Sequence, residues 1–218
     1  MILQMGLGLN SSVNSGIMGI GYDTNEAINQ TYQSFLDELV IDSYINTKTY
    51  SLWLNDLDSS TGSILFGGID TEKYYGTLSS MPIHPSSTGI YDGFNVLIAA
   101  ISLTPQIGSN IALTNSSFSE VVVLESSTTL IYLPDNIVDQ LYRLFNVSTV
   151  DEGPWVDCKY ANSSFMSVTF ESGSMIDIPY TEIISKVFVS NPLPAELQSL
   201  GFSEVCYFGI QAAGAIKP

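Results

Sequence analysis

Basic side chains are scarce: six Lys and Arg stand against 22 Asp and Glu in 218 residues, a formal charge of −16. A surface so acidic repels phosphate backbones and anionic membrane faces, which argues against nucleic acid as a partner. Histidine occurs once, at His84, so neither a His-containing triad nor a multi-histidine metal site can be assembled. The two cysteines, Cys158 and Cys206, are too few for a thiolate zinc site and are not spaced as a redox Cys-x-x-Cys, which leaves a single disulfide as the natural alternative. Closing a loop of that length would stabilise the fold by about 4 kcal/mol in the chain-entropy model. Apolar runs such as Val96–Ile101 fall well short of the roughly 20 residues a membrane-spanning helix requires, so no such segment is expected. Solenoid-type repeats and long low-complexity tracts are also missing.

With 45% hydrophobic and 13% charged residues, the chain can bury a real core in one or two domains. Its charge balance suits an acidic compartment, where protonation of Asp and Glu relieves self-repulsion, although a merely acidic surface reads the same way. Five Asn-x-Ser/Thr triplets, at Asn10, Asn29, Asn115, Asn146 and Asn162, are candidate glycosylation sites and favour a secretory route. Together with the cysteine pair they point to an extracellular or vacuolar location. Met1–Leu9 has neither a basic start nor a sufficiently long apolar core, so it is not a signal peptide and reads instead as interior strand.

Most of the chain consists of short β-branched and aromatic runs punctuated by Gly, Asn, Asp and Ser, the pattern of a β-rich domain. Strands are predicted at Tyr50–Leu54, Ser63–Phe66, Phe94–Leu103 and Glu120–Leu124, the last apolar enough to be buried on both faces. Phe165–Phe170 and Met175–Pro179 read as a hairpin closed through Ser172-Gly173. Helical spacing appears twice, in Tyr32, Phe35, Leu36, Leu39 and Val40, and in Ile137, Val138, Leu141, Leu144 and Phe145. Both stripes are expected to face the core.

Several segments in order then carry a resemblance. Ser15-Gly16-Ile17-Met18-Gly19-Ile20-Gly21-Tyr22, Ser51–Asn55, Gly62-Ser63-Ile64-Leu65-Phe66-Gly67-Gly68-Ile69-Asp70, Tyr74–Leu78 with Pro82-Ile83, and Val121–Pro134 resemble pepsin-like aspartic proteases, most closely the fungal, yapsin-like branch. The resemblance implies a mainly β, bilobal acid-protease fold with a few short helices. It assigns 1–57 to the C-terminal part of the N-terminal lobe and 58–218 to an incomplete C-terminal lobe. It also places Cys158 and Cys206 at that lobe's disulfide. The activity it implies is peptide-bond hydrolysis at acidic pH, by two carboxylates that share a proton and activate a water, with no metal or organic cofactor.

Against that chemistry the sequence departs from the family. No Asp-Thr-Gly loop precedes Gly16. Glu125 stands where the second catalytic Asp is expected, and its extra methylene displaces the carboxylate by about 1.5 Å; a shift of only about 1 Å can cost roughly a hundredfold in rate. Ser127 replaces a Gly that admits close backbone approach, and the Ile-Leu-Gly-Asp strand expected after Cys206–Ile210 does not follow. Ser126, Ser127 and Thr128 match substrate-binding positions, with simple turn residues as the alternative reading. The pairs Asp56/Asp58 and Asp151/Glu152 read as solvated turn acids, and Trp53 and Trp155 as packed aromatics.

The chain is therefore expected to be truncated at both ends relative to the family and inactive alone. The alternative is a non-catalytic secreted or wall-associated glycoprotein that binds peptides or proteins. Expected partners are a peptide or protein substrate, if a cleft survives, and further copies of the chain through unpaired strand edges.

Overall fold

The computed structural model describes residues 16–25, 32–55, 59, 61–150, 153–162, 164–186, 189 and 192–215. By internal contacts the chain divides into two compact units, Met1–Asn95 and Val96–Pro218. The expected lobe division at 57/58 concerns the descent of segments, a different question from compactness.

In the first unit the helical stripe forms α1, Phe35–Ile41. Its start is a capping box: the Ser34 hydroxyl accepts from the Asp37 N–H at 3.3 Å, and the Asp37 carboxylate accepts from the Ser34 N–H at 3.0 Å. Lys48 pairs with the same carboxylate. Leu36 is buried and the Phe35 ring meets Phe66 edge-on at 5.1 Å; Tyr32, expected on this face, precedes the helix and is exposed. Strands β1 (Tyr50–Trp53) and β2 (Ser63–Phe66) pair antiparallel from Tyr50↔Phe66 to Trp53↔Ser63. Gly67, just beyond β2, has φ +75°, and a Cβ there would stand 2.6 Å from the Ile45 side chain, so no other residue fits. The described part of the Ser15–Tyr22 motif, from Gly16 onward, forms no strand, and Ile17 is 92% exposed. Strand geometry persists only where a neighbour takes its backbone hydrogen bonds.

The second unit carries the larger core. Strands β3 (Asn95–Thr104), β4 (Ile111–Ala112), β5 (Glu120–Val123), β9 (Phe165–Phe170) and β10 (Met175–Pro179) make one sheet, ordered β10-β9-β3-β4 with β5 also on β3. The predicted hairpin is β9–β10, paired from Met175↔Thr169 to Pro179↔Phe165. A second sheet orders β11 (Ile184–Ser185), β12 (Val205–Phe208), β8 (Gly153–Asp157) and β7 (Ser148–Val150). The third element is a parallel pair, β6 (Ile131–Leu133) with β13 (Ile210–Ala212).

The second stripe forms α2, Asp135–Phe145, entered through Pro134, with Asp135 in its first turn and Arg143 in its last, the favourable polarity for the helix dipole. Leu141 and Phe145 of α2 share one enclosed spot with Leu103, Met166, Phe208 and Ile210, so helix and strands close on a common core. Two short helices, α3 (Tyr180–Ile183) and α4 (Ala195–Gln198), complete the unit. Among the described residues no helix is long and apolar enough to cross a membrane.

Two further sequence expectations need correction. Strand β5 is not buried on both faces: Val121 and Val123 are exposed, because among the described residues β3 alone pairs with this strand and no further element covers its apolar run. Leu144 is likewise exposed, whereas Ile137, Val138, Leu141 and Phe145 are buried, so the contact face of α2 is one residue narrower than its apolar stripe. Leu141→Ala should therefore cost about 2–5 kcal/mol in urea unfolding, whereas Leu144→Ala should change stability by less than about 1 kcal/mol. Equal losses would show that the helix is rotated.

Candidate active-site loop

Residues 124–130 connect edge strand β5 to the paired strand β6, so one side of the loop is anchored in the core and the other is open. Glu125, Ser126, Ser127 and Thr128 are all exposed. The Glu125 carboxylate folds back on its own loop: Oε1 accepts from the Ser127 N–H at 2.8 Å and from the Ser127 hydroxyl at 2.6 Å. These bonds, the hydroxyl's first, hold its pKa below the ordinary Glu value against a small opposing effect of burial. The longer side chain thus reaches the donors two residues ahead, and Ser127, having a hydroxyl where Gly has none, supplies the stronger one. Thr128 Oγ1 accepts from the Leu130 N–H at 3.4 Å. The bonds from Ser127 close a turn in which Glu125 is an ionised acceptor that, among the described residues, has no bond to another acid.

Cys158 and Cys206 are joined, with Cα atoms 5.1 Å apart and a sequence separation of 48. Asn115, Asn146 and Asn162 are exposed, while Asn10 and Asn29 lie outside the described residues, as do Asp56, Asp58, Asp151 and Glu152. Trp155 packs edge-on against Tyr207 at 5.2 Å and donates to the Val150 carbonyl, a structural placement; the Lys73 ammonium stands 4.0 Å over Trp53. Among the described residues no cluster of three or more His, Cys, Asp or Glu could hold a metal ion.

Sequence reasoning missed Asp157, a buried carboxylate at the end of β8. It accepts from the Lys159 N–H at 3.0 Å, the Ser203 N–H at 3.0 Å and the Ser203 hydroxyl at 2.7 Å, with the Lys159 ammonium 3.4 Å away. Burial alone would raise its pKa, but these donors outweigh it and leave the group far below the ordinary Asp value. Asp157 adjoins Cys158, and Ser203 lies three residues before Cys206, so carboxylate and disulfide tie the same two segments together. The available signal was an acid directly after the apolar run Trp155-Val156, where a solvated residue is not expected.

Against this geometry stands the family profile described as eukaryotic aspartyl protease, which matches residues 4–212. The chain belongs to that family. It is 34% identical over 220 residues to a probable aspartic-type endopeptidase, opsB, of Aspergillus fumigatus, covering 97% of this chain and 43% of that protein. Candidapepsin-2 of Candida parapsilosis is 32% identical over 208 residues, covering 93% of this chain and 44% of the relative. The chain thus spans under half the length of these curated relatives. The crystal structure of an aspartic proteinase from Irpex lacteus superposes with a TM-score of 0.69 at 18% identity, covering 94% of this chain and 59% of that one, a likeness of fold.

For this aspartyl-protease chain the Asp157 bonds give a pH dependence with a definite sign. A carboxylate whose folded pKa is depressed contributes stability that is complete above its unfolded value of roughly 3.9 and drains away as pH falls toward the folded one. Asp157→Asn should lose about 2–3 kcal/mol at neutral pH, and its stability should fall less steeply than the parent's below about pH 4. Parallel unfolding curves across the acid range would show that Asp157 is not the group responsible.

Proposed function

We propose that this chain keeps the scaffold of a pepsin-like aspartic endopeptidase and does not hydrolyse peptide bonds on its own. The observation that carries this reading is the Glu125 carboxylate, ionised and satisfied by the two donors of Ser127. Water activation in the family needs one carboxyl to hold a proton while its neighbour accepts one, an arrangement sustained by two like charges too close to ionise together. Glu125 supplies one member of such a pair at most, placed one methylene too far out and turned toward its own backbone. No Asp-Thr-Gly triplet occurs in the 218 residues to supply the other.

Segments 1–57 and 58–218 are taken to descend from the N-terminal and C-terminal lobes, with Ser126, Ser127 and Thr128 at positions that would meet substrate backbone in an intact cleft. A secreted or wall-associated location is supported by the sequons, by the disulfide, and by a relative whose name is secreted aspartic protease 3, from Candida albicans, 30% identical over 186 residues. The exposed apolar edge of β5 favours a second reading, a non-catalytic glycoprotein that adds a peptide or another chain along that strand.

Turnover of an unstructured protein substrate at acidic pH tests the lack of catalysis that both readings share. The purified chain should show no cleavage above background, and Glu125→Asp with Ser127→Gly should not restore it, because the partner carboxylate is still missing. Cleavage blocked by a transition-state inhibitor of aspartic proteases and abolished by Glu125→Ala would overturn the proposal.

A further inference from the structure

The three sequons among the described residues sit in different surroundings. Asn115 lies in the exposed connection between β4 and β5, in a turn closed by the Phe118 N–H donating to the Asn115 carbonyl at 3.1 Å. Its side-chain Oδ1 accepts from both the N–H and the hydroxyl of Ser117, at 3.0 and 2.8 Å. The hydroxyl two residues on, which the sequon requires, is therefore already beside the acceptor amide, and both residues are exposed. The base of the turn is rigid: the Leu113 N–H donates to the Ile101 carbonyl, and the Ile101 N–H donates to the Thr114 hydroxyl, both at 3.0 Å.

The other two sequons have one half committed to the fold. Asn146 is the left-handed cap of α2, with φ 51°, and its Ser148 is paired with Trp155 in the β7–β8 ladder. Asn162 follows the short turn of Cys158–Ala161, and the hydroxyl oxygen of its Ser164 is buried. An enzyme that must grip the third residue of the sequon would have to open a strand in one case and the interior in the other.

We propose that, among the sequons of the described residues, Asn115 is the N-glycan acceptor of the folded chain and that Asn146 and Asn162 are not, a deepening of the secretory reading, on which its physiological setting rests. In the transfer the Asn115 side-chain nitrogen forms a bond to the anomeric carbon of a lipid-linked oligosaccharide. The bond from that carbon to the lipid pyrophosphate oxygen breaks, the lipid pyrophosphate leaves, and one amide proton passes to base. No electrons change hands. A sugar at Asn115 lies at the opposite end of β5 from Glu125, about 13 Å of strand away, so it leaves the loop at 124–130 open. It also stands beside β4 and β5, where its bulk opposes pairing by a second chain.

The test incubates the folded, disulfide-intact full chain with a purified oligosaccharyltransferase and a lipid-linked oligosaccharide, then maps occupied asparagines by enzymatic deglycosylation in heavy-oxygen water and mass spectrometry. Label should concentrate at Asn115, disappear in Ser117→Ala, persist in Ser117→Thr, and stay at background on Asn146 and Asn162. In the reduced, alkylated chain the latter two should become modified as well. Asn115 left bare in the folded chain, label on Asn146 or Asn162 equal to that on Asn115, or the same preference in the unfolded chain would each overturn the inference. A negative result in this reaction leaves the secretory reading standing, whereas chain recovered from its own host's medium without any glycan would count against that reading alone.

Discussion

The continuous segment Val205–Ala212 is the constraint on which the second unit depends. Its first half, β12, is flanked by β11 and β8, and its second half, β13, pairs in parallel with β6. At the end of β12 Phe208 is wholly buried, 5.3 Å from Phe145 and 5.8 Å from Tyr142 by ring centroids. The Tyr142 hydroxyl donates to the Ile210 carbonyl, holding the helix to the same segment. Because β6 begins immediately after residues 124–130, the pairing that builds the core also fixes one end of the loop carrying Glu125. The other end leaves through β5, an edge strand, and the carboxylate is free to settle on Ser127.

That division between an anchored and an open side explains how Glu125 came to be satisfied locally. An Asp at this place holds its carboxylate close to the backbone; Glu reaches past it and finds the N–H and hydroxyl of Ser127. Both donors stabilise the charged form, the opposite of what a proton-holding acid requires. Ser127 supplies both of these donors, so residues 125 and 127 act as a unit. The buried carboxylate of Asp157 has a structural role, bridging the segment before Cys158 to that before Cys206.

Much of the fold could be read from residue patterning because each element's apolar spacing coincides with a surface it buries. The stripe Ile137, Val138, Leu141 and Phe145 is the contact face of α2, and the alternation of Phe165–Phe170 and Met175–Pro179 is a hairpin in register. Where spacing failed, the missing information was the number of neighbours. Val121–Val123 has the composition of a central strand, but composition cannot report that, among the described residues, only β3 would pair with it. Leu144 continues an apolar stripe whose partner surface has already ended. The disulfide was available from cysteine count and from the family resemblance together. The hydrogen bonds of Glu125 were not legible, since they depend on a turn closing over two residues. Asp157 was overlooked because its donors lie both next to it and 46 residues away.

The claim that Glu125 is a solitary, locally satisfied carboxylate is tested most directly by following its side-chain carbon resonance against pH in the intact chain. A single transition centred below the ordinary Glu value, unmoved by an aspartic-protease inhibitor, is the predicted result. A transition raised above that value, or one split into two steps as for acids sharing a proton, would contradict it.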